Sequence, residues 1–274
     1  MTLLRIEDLT VSFVQYERGL RRRVVPGLTG MDLDVAAGEV VALVGASGAG
    51  KSLLAHAVLG LLPPNAVEGG RVLVDGTEVP PAERRRFAGR DIALLPQSVT
   101  YLDPVAPVGS QVRRAARLAG LPQPRAAAGE ALRRYGLGPE VLDRYPHELS
   151  GGMARRVLVA IALLGDPRVV IADEPTPGLQ ADSAEAVLSQ LRARADAGCG
   201  VLLITHDLVG ALAVCDRVVI CDAGRTVDTA APADFRGDGE HLAHPYTRAL
   251  WQALPANGLR APRQDGICTT TGAS

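Results

Sequence analysis

Apolar positions along the chain fall into two patterns, which predict two kinds of β-strand. Residues 40–45 (VVALVG), 168–173 (RVVIAD) and 200–207 (GVLLITHD) carry nearly continuous apolar runs, which are typical of parallel strands buried on both faces. Residues 3–14 and 31–37 instead alternate between apolar and polar side chains, as strands with one exposed face do. The sequence therefore predicts a parallel core that is preceded by a small antiparallel β layer.

Two further segments carry strand patterns. Residues 71–79 (RVLVDGTEV) favour a strand and a turn within the antiparallel layer, and residues 216–224 (DRVVICDAG) favour an edge or hairpin strand. Both segments contain an Asp and a Gly at a point where a turn is expected.

Helical periodicity separates the apolar strands. The predicted helices span residues 51–62, 108–119, 126–136, 151–165 and 181–197. Strands that alternate with helices indicate an α/β sheet.

The stretch from 98 to 150 interrupts that alternation, because its patterns are helical only. We therefore expect an α/β core with an N-terminal antiparallel β subdomain and an inserted α-helical subdomain at about 98–150. One domain is expected over residues 1–255, followed by a loose tail over residues 256–274, where Pro, Gly and Thr are frequent.

Composition narrows the classes of function. The chain has 274 residues, a formal net charge of −1 and only 3% aromatic residues, which disfavours a nucleic-acid-binding surface. No run approaches the roughly 20 apolar residues of a membrane helix, and the first residues (MTLLRIEDLTVSF) lack the basic segment of a signal peptide. We expect a chain that stays in the cytoplasm.

The four cysteines are scattered and show no metal-binding spacing. We expect reduced, buried thiols at Cys199, Cys215, Cys221 and Cys268.

The strongest chemical signal follows the first buried strand and opens a helix. It matches G-x-x-x-x-G-K-[ST], the phosphate-binding loop or Walker A motif, and consists of Gly45, Ala46, Ser47, Gly48, Ala49, Gly50, Lys51 and Ser52. Small residues allow backbone N–H groups to curl around phosphate oxygens, and the helix start adds positive potential. The motif predicts an ATP-binding loop.

Lys51 is the only lysine in a chain with 29 lysine and arginine residues. A compact ammonium can reach the β- and γ-phosphates along a narrow loop, whereas a planar guanidinium requires a fork-shaped partner. This contrast explains why arginine has not replaced lysine here. The adjacent Ser52 offers a hydroxyl to Mg²⁺.

An acidic pair follows the second buried strand. Asp173 and Glu174 come directly after four apolar residues, at the strand end where α/β sheets bind ligands. We expect Asp173 to hold Mg²⁺, as a Walker B aspartate does, and Glu174 to act as the general base on the attacking water.

The segment LSGGM (149–153) precedes an apolar helix and lies 20 residues before Glu174. Together with the Walker motifs, it resembles the signature of the ATPase subunits of ABC transporters, usually LSGGQ. The resemblance covers roughly residues 3–255. It assigns Gln97 to the Q-loop, where it would also approach Mg²⁺, His206 to the switch histidine, and Phe13 to the aromatic that stacks on adenine, with Tyr16 as a second candidate.

The resemblance implies a head-to-tail pair of ATPase domains with ATP between them. Ser150, Gly151 and Gly152 would then contact the γ-phosphate of the ATP bound by the partner. The Q-loop and the helical insertion, including residues 100–104 (TYLDP), would transmit the motion to membrane subunits.

The segment HPYTRAL (244–250) resembles the ATPases of oligopeptide, dipeptide and nickel importers, and SGGM resembles their D-type member. This implies a separate F-type ATPase partner, two membrane permeases, an extracytoplasmic substrate-binding protein and a peripheral position at the cytoplasmic face of the membrane. The single Cys268 near Ser274 favours a nickel-type subunit. Peptide, nickel and metal-chelate cargo all stay open.

The sequence departs from the family at Gln180, where the D-loop usually carries aspartate. An amide keeps hydrogen bonding but loses the charge, so we expect one weakened site in an asymmetric pair. Two alternatives stay open: an ABC-type ATPase of DNA repair or translation, and a P-loop kinase. The absence of long coiled-coil arms disfavours the former, and LSGGM disfavours the latter.

Overall fold

The structure is a computed structural model that describes residues 1–16 and 21–254. The tail that the sequence predicts over residues 256–274, with Cys268, lies outside the described residues. Within the described part, no helix combines the length and hydropathy needed to cross a bilayer.

Ten strands form one mixed sheet. The strands are β1 (Thr2–Tyr16), β2 (Arg22–Ala36), β3 (Val40–Val44), β4 (Ala66–Val74), β5 (Thr77–Glu78), β6 (Ile92–Leu95), β7 (Val169–Asp173), β8 (Gly200–Thr205), β9 (Arg217–Asp222) and β10 (Arg225–Ala230). Their order across the sheet is β5-β4-β1-β2-β10-β9-β3-β8-β7-β6.

Eight α-helices accompany the strands in the described residues. They are α1 (Lys51–Val58), α2 (Pro81–Arg84), α3 (Val108–Leu118), α4 (Pro124–Arg134), α5 (Gly151–Ala162), α6 (Ala181–Asp196), α7 (Leu208–Leu212) and α8 (Pro245–Gln252). Short 3-10 turns lie at Val99–Tyr101, Pro139–Asp143, Pro146–Glu148 and Pro232–Asp234. The stretch between β6 and α5 contains helices and turns only, as the sequence predicts.

The sheet has an antiparallel part and a parallel part. Strands β1, β2, β4 and β5 pair antiparallel, whereas β9, β3, β8, β7 and β6 pair parallel. The two parts are joined through β10, which pairs antiparallel with β9 and contacts β2 at Arg225 and Gly30. The expected α/β core with an antiparallel N-terminal layer is confirmed.

The central strand β3 separates two hydrophobic cores. Val40, Ala42 and Val44 pack into the core that includes α3, α4, α5 and α6. Val41 and Leu43 pack into the core that includes α1 and the antiparallel layer. Successive side chains point to opposite faces of a strand, so a strand covered on both faces requires the continuous apolar run seen in the sequence.

A buried arginine of α2, Arg84, joins the antiparallel layer to α1. Arg84 is only 3% exposed and pairs with Glu68 of β4. The Arg84 guanidinium also donates to the carbonyl oxygens of Val79 and Ala57, at 3.0 Å each. A buried guanidinium needs such partners, because a charge without hydrogen bonds is costly to bury.

Residues 216–224 were expected to form an edge or hairpin strand, and the structure shows the hairpin, with β9 paired antiparallel to β10. β9 lies inside the sheet, between β10 and β3, and Val218–Cys221 are buried. The true edges are β5 and β6.

The helix α6 begins without a side-chain cap, and this generates a stability prediction. Gln180 occupies the N-cap position (φ −66°, ψ 154°) and makes no capping hydrogen bond. Asp or Ser at this position can accept a hydrogen bond from the first turn. We expect Gln180→Asp and Gln180→Ser to raise the free energy of unfolding by about 0.5 to 1 kcal/mol, measured by urea denaturation. Gln180→Ala is the control that cannot cap, and equal stability of all three variants would contradict the prediction.

Candidate functional site

Four parallel strands end at one edge of the sheet, and the loops that follow them form a cleft. β3, β8, β7 and β6 lie side by side in parallel register. The cleft has a volume of about 590 Å³, and its lining includes residues 47–52, Gln97, Glu174 and His206. Residues far apart in sequence therefore meet because parallel strands share their carboxyl ends.

Close packing beneath the glycine-rich loop (Gly45–Gly50) fixes the first residue of that loop. A Cβ atom at Gly45 would lie 2.2 Å from the carbonyl oxygen of Cys221 in β9. Gly48 and Gly50 adopt positive φ angles of 80° and 91°, which favour glycine. The glycines of the motif are thus required by the path of the backbone.

The glycine-rich loop leads directly into α1 without a side-chain cap. Gly50 is the N-cap residue and has no side chain that could bond the N–H groups of the first turn. Those N–H groups have no partners within the helix, and the helix dipole adds partial positive charge at the same point. This arrangement suits an anion such as a phosphate group.

Lys51, the first residue of α1, folds back onto the glycine-rich loop. Its Nζ donates to the carbonyl oxygens of Gly45 at 2.8 Å and Ala46 at 3.0 Å. The residue is 7% exposed, and among the described residues its ammonium forms no ion pair with a carboxylate. The charge is therefore held by neutral dipoles and stays available to an anion in the cleft.

A serine and an aspartate meet beneath the cleft. The Ser52 hydroxyl donates to Oδ1 of Asp173 over 3.1 Å. Burial raises the pKa of the Asp173 carboxyl, the neighbouring Glu174 acts in the same direction, and the Ser52 hydrogen bond opposes both. A buried carboxylate of this kind gains from a nearby cation, which favours its charged form.

Glu174 is held through both its backbone and its side chain. Its backbone N–H donates to the Ile204 carbonyl oxygen at 2.8 Å, and its Oε2 lies 2.8 Å from Nδ1 of His206. An ionised carboxylate only accepts hydrogen bonds, so a charged Glu174 selects the His206 form with a proton on Nδ1. The Glu174 side chain is buried, whereas His206 is largely exposed.

The predicted signature residues lie outside this cleft. Ser150 caps α5, with its Oγ accepting from the Met153 backbone N–H at 3.3 Å. Gly151 and Gly152 are exposed, and a Cβ atom at either would meet no atom within 4 Å. The start of α5 therefore presents an open surface and does not line the cleft that contains the chain's own glycine-rich loop.

The predicted adenine-stacking residues also lie outside the lining of the cleft. Phe13 of β1 packs against the second core, with its ring next to Gly27, which does line the cleft. Tyr16 is exposed at the end of β1.

The HPYTRAL segment begins α8, which lies next to the glycine-rich loop. Thr247 is fully buried and donates to the Asp228 carboxylate at 2.6 Å. Burial, with the Asp222 carboxylate beside it, raises the pKa of the Tyr246 hydroxyl, while the backbone N–H of Ala46 acts in the opposite direction. A segment 200 residues away in sequence thus contributes to the support of the loop.

Sequence reasoning missed two groups of residues. Pro26, Gly27 and Leu53 line the cleft, and Arg155 bonds the backbone behind it. Apolar or glycine residues carry no chemical signal of their own. Arg155 lies beside Arg156 at the border of an apolar run, where an arginine ordinarily reaches solvent.

The arrangement defines a class of protein. A glycine-rich loop between a buried parallel strand and a helix, with acidic residues at the end of a neighbouring strand, is the phosphate-binding arrangement of P-loop nucleoside triphosphatases.

Comparison with known proteins identifies the family within that class. The family described as ABC transporter matches residues 28–177. The chain is 36% identical over 265 residues to a probable peptide ABC transporter ATP-binding protein of Sinorhizobium fredii, covering 92% of this chain and 77% of the relative. It is 38% identical over 270 residues to the oligopeptide transport ATP-binding protein OppD of Mycobacterium tuberculosis, covering 92% of this chain and 42% of that protein.

A solved structure shows the same fold. The dimeric post-hydrolysis structure of the ATP-binding cassette MJ0796 with ADP and Pi has a TM-score of 0.71 and 23% identity, and the match covers 86% of this chain and all of that one. The chain therefore belongs to the ABC transporter family, as an ATPase. Its resemblance to the oligopeptide and dipeptide importer ATPases is confirmed.

Proposed function

We propose that this chain binds and hydrolyses ATP in the cleft at the carboxyl edge of its sheet, and thereby powers import of peptides through membrane permeases. The observation that carries the ATP site is Lys51, a nearly buried ammonium at the start of α1 that, among the described residues, is held by the carbonyl oxygens of the loop. A triphosphate would serve as the anionic partner of this ammonium, and the uncapped start of α1 adds N–H donors.

The residues beneath the cleft fit a magnesium ion. Mg²⁺ prefers oxygen ligands and is commonly shared between protein and phosphate oxygens. The Ser52 hydroxyl and the Asp173 carboxylate already meet, and the raised pKa of Asp173 reflects a buried charge that a cation would stabilise. Gln97 lines the same cleft. We assign these three residues to Mg²⁺, which would neutralise developing charge on the phosphates.

Glu174 and His206 supply the chemistry of hydrolysis in this proposal. The Glu174 carboxylate accepts a proton from the attacking water as general base. The His206 hydrogen bond holds that carboxylate in place. Gln97 faces the same cleft and is suited to orient the water and to report the presence of the γ-phosphate.

Two further parts of the proposed ATP site do not line the cleft described above. The exposed start of α5 suits a second ATPase chain: Ser150, Gly151 and Gly152 are open to the outside, and contact from them would complete the partner's ATP site. Phe13, beside Gly27 at the border of the cleft, is proposed to stack on adenine. Because the start of α5 does not line the cleft of its own chain, hydrolysis is expected to require two chains.

The proposed assembly pairs this D-type chain with an F-type ATPase and two membrane permeases, at the cytoplasmic face of the membrane. A substrate-binding protein outside the cytoplasm delivers the cargo. The relatives described above are named for peptide and oligopeptide transport, which favours peptides over the nickel or metal chelates that the HPYTRAL resemblance also allows. Their names also favour transport over DNA repair or translation.

The first prediction of the proposed function concerns nucleotide binding. Lys51→Met keeps the aliphatic stem and removes the charge, so we expect the dissociation constant for ATP to rise by about 10- to 100-fold. Lys51→Arg keeps the charge but should also weaken binding, because a planar guanidinium cannot occupy the position between the Gly45 and Ala46 carbonyls.

Isothermal titration with ATP and Mg²⁺ measures both effects. Arg134→Ala, which removes an exposed cation of α4, is the control and should bind as the wild type does. Wild-type affinity in Lys51→Met would place the nucleotide elsewhere.

The second prediction separates binding from chemistry. Glu174→Gln keeps the size of the side chain and a hydrogen-bond acceptor for His206, but it loses the general base. We expect the turnover number to fall about 100-fold or more while ATP binding is retained. Phosphate release and nucleotide titration provide the two measurements.

Glu130→Gln makes the same carboxylate-to-amide change at an exposed position of α4. It is the control for loss of one negative charge and should keep wild-type turnover. Unchanged turnover in Glu174→Gln would assign the base to another residue.

The third prediction concerns the transport role. A tagged chain purified from detergent-solubilised membranes of its own host should bring down two polytopic membrane proteins and a second ATPase. In liposomes with the binding protein added, short peptides should stimulate ATP hydrolysis. Stimulation by Ni²⁺ chelates alone would reassign the cargo, and an ATPase that purifies without membrane proteins and ignores both ligands would support the non-transport alternative.

A further inference from the structure

An arginine near the start of α5 is buried behind the cleft. Arg155 lies five residues after Ser150 and is only 4% exposed, although arginine is among the residues least often buried. Its neighbour Arg156 is exposed. The burial of Arg155 therefore calls for a specific set of partners.

The partners of Arg155 are four backbone carbonyl groups from two loops. Its Nε donates to Pro175 at 2.9 Å and its Nη2 to Glu174 at 3.0 Å, in the loop after β7. Its Nη1 donates to Pro96 at 2.5 Å and to Gln97 at 3.0 Å, in the loop after β6. One guanidinium thus joins the backbone of the loop that carries Glu174 to that of the loop that carries Gln97.

These carbonyls depend on Arg155 for their hydrogen bonds. In residues 1–16 and 21–254, none of the four accepts a turn or loop hydrogen bond from another backbone N–H. Pro96 and Pro175 lack an N–H group, so the backbone hydrogen bonding of β6 and of β7 cannot continue through these residues. A buried carbonyl without a partner costs free energy, and a planar guanidinium with five donors can serve several at once.

The charge of Arg155 is balanced by dipoles. Among the described residues, its hydrogen bonds go to carbonyl oxygens and to no carboxylate. Burial lowers the pKa of Arg155, and the negative charge of Asp173 opposes that effect. Arginine nevertheless stays protonated in proteins, so the cation also lies behind the acidic pair of the cleft.

We infer that Arg155 is a positioning residue for hydrolysis: by tying together the backbones of Pro96–Gln97 and Glu174–Pro175, it holds Gln97 and Glu174 at fixed separation. This inference rests on the proposed roles of those two side chains. It also ties both to α5, the helix that begins with Ser150, Gly151 and Gly152. The orientation of α5 thereby sets the geometry of the cleft.

Three variants of the full-length chain test the inference. Arg155→Met removes every donor, Arg155→Gln keeps a short neutral amide, and Arg155→Lys keeps the charge on a compact group. Arg84→Gln is the matched control, because Arg84 is equally buried and also bonds two carbonyls, but contacts neither loop. ATP hydrolysis, ATP titration, thermal unfolding and amide hydrogen exchange are measured for each.

We expect kcat to fall about 10- to 100-fold in Arg155→Gln and Arg155→Met, since a small displacement of catalytic groups has effects of that size. The KM and the dissociation constant for ATP should change less than about threefold, because Lys51 and the glycine-rich loop are untouched. Arg155→Lys should recover part of the lost kcat. The amides of Glu174 and Thr100, which donate to the Ile204 carbonyl and the Ser98 hydroxyl, should exchange about tenfold faster or more.

The control separates positioning from support of the fold. Arg84→Gln should lower the unfolding temperature and leave kcat per folded molecule unchanged. If Arg155→Gln behaves the same way, with normal kcat and normal exchange at Thr100 and Glu174, Arg155 is structural only and the inference is overturned. If Arg155→Met does not fold, Arg155→Gln decides.

The exchange measurement also distinguishes this inference from the proposed function. Wild-type protein that fails to bind or hydrolyse ATP would overturn the function. Faster exchange confined to the two loops in Arg155→Gln would still establish the tie between them, and its absence would refute the tie whatever the activity.

Discussion

The parallel register of β3, β8, β7 and β6 is the constraint on which the site depends. Val44 pairs with Thr205, Asp173 with Ile204, and Leu95 with Ala172. The residues that follow these strand ends are Gly45, His206, Glu174 and Pro96, and each begins a loop of the cleft. A shift of register by one residue would turn every side chain of a strand to its opposite face. The apolar pattern that buries β3 between two cores therefore also aligns the chemistry at its end.

Burial gives the groups at this edge their electrostatic character. Lys51 and Arg155 are nearly buried cations that bond backbone carbonyls, while Asp173 and Glu174 are nearly buried acids. Charges held away from water interact strongly with one another and with a ligand. The surface of the protein, with arginine in nearly every basic position, carries pairs such as Arg192 with Asp196 that contribute much less.

Much of the fold and the site could be predicted from sequence because local patterns and motif chemistry agree. Gly45–Ser52, Asp173–Glu174 and His206 each follow an apolar run long enough to mark a buried strand. β6 was missed because four residues, Ile92–Leu95, are too few to separate a strand from a loop. The contacts of Arg155 join residues 19 to 59 positions apart, and only the finished sheet brings those loops under α5.

The ends of helices are also hard to predict from sequence patterns. The helix after the glycine-rich loop was expected to reach residue 62, but α1 ends at Val58. Gly60 adopts a positive φ of 65°, and the N–H of Leu61 bonds back to the carbonyl of His56 at 2.8 Å, which is a glycine-based helix end. The apolar residues Leu61 and Leu62 continue the helical pattern in the sequence. The backbone conformation of Gly60 therefore sets the end of α1, which the hydrophobic pattern of the side chains does not determine.

The backbone at Glu174 shows how the fold supports a strained residue where chemistry is expected. Its φ of 46° is unfavourable for a residue with a side chain. Three contacts compensate: the N–H bonds Ile204, the carbonyl accepts from Arg155, and the carboxylate bonds His206. Strain of this kind persists only where surrounding structure over-determines the conformation. The turn at Glu174 ends β7 abruptly and points the carboxylate across the strand ends toward His206, so the proposed base is directed by elements from three parts of the chain.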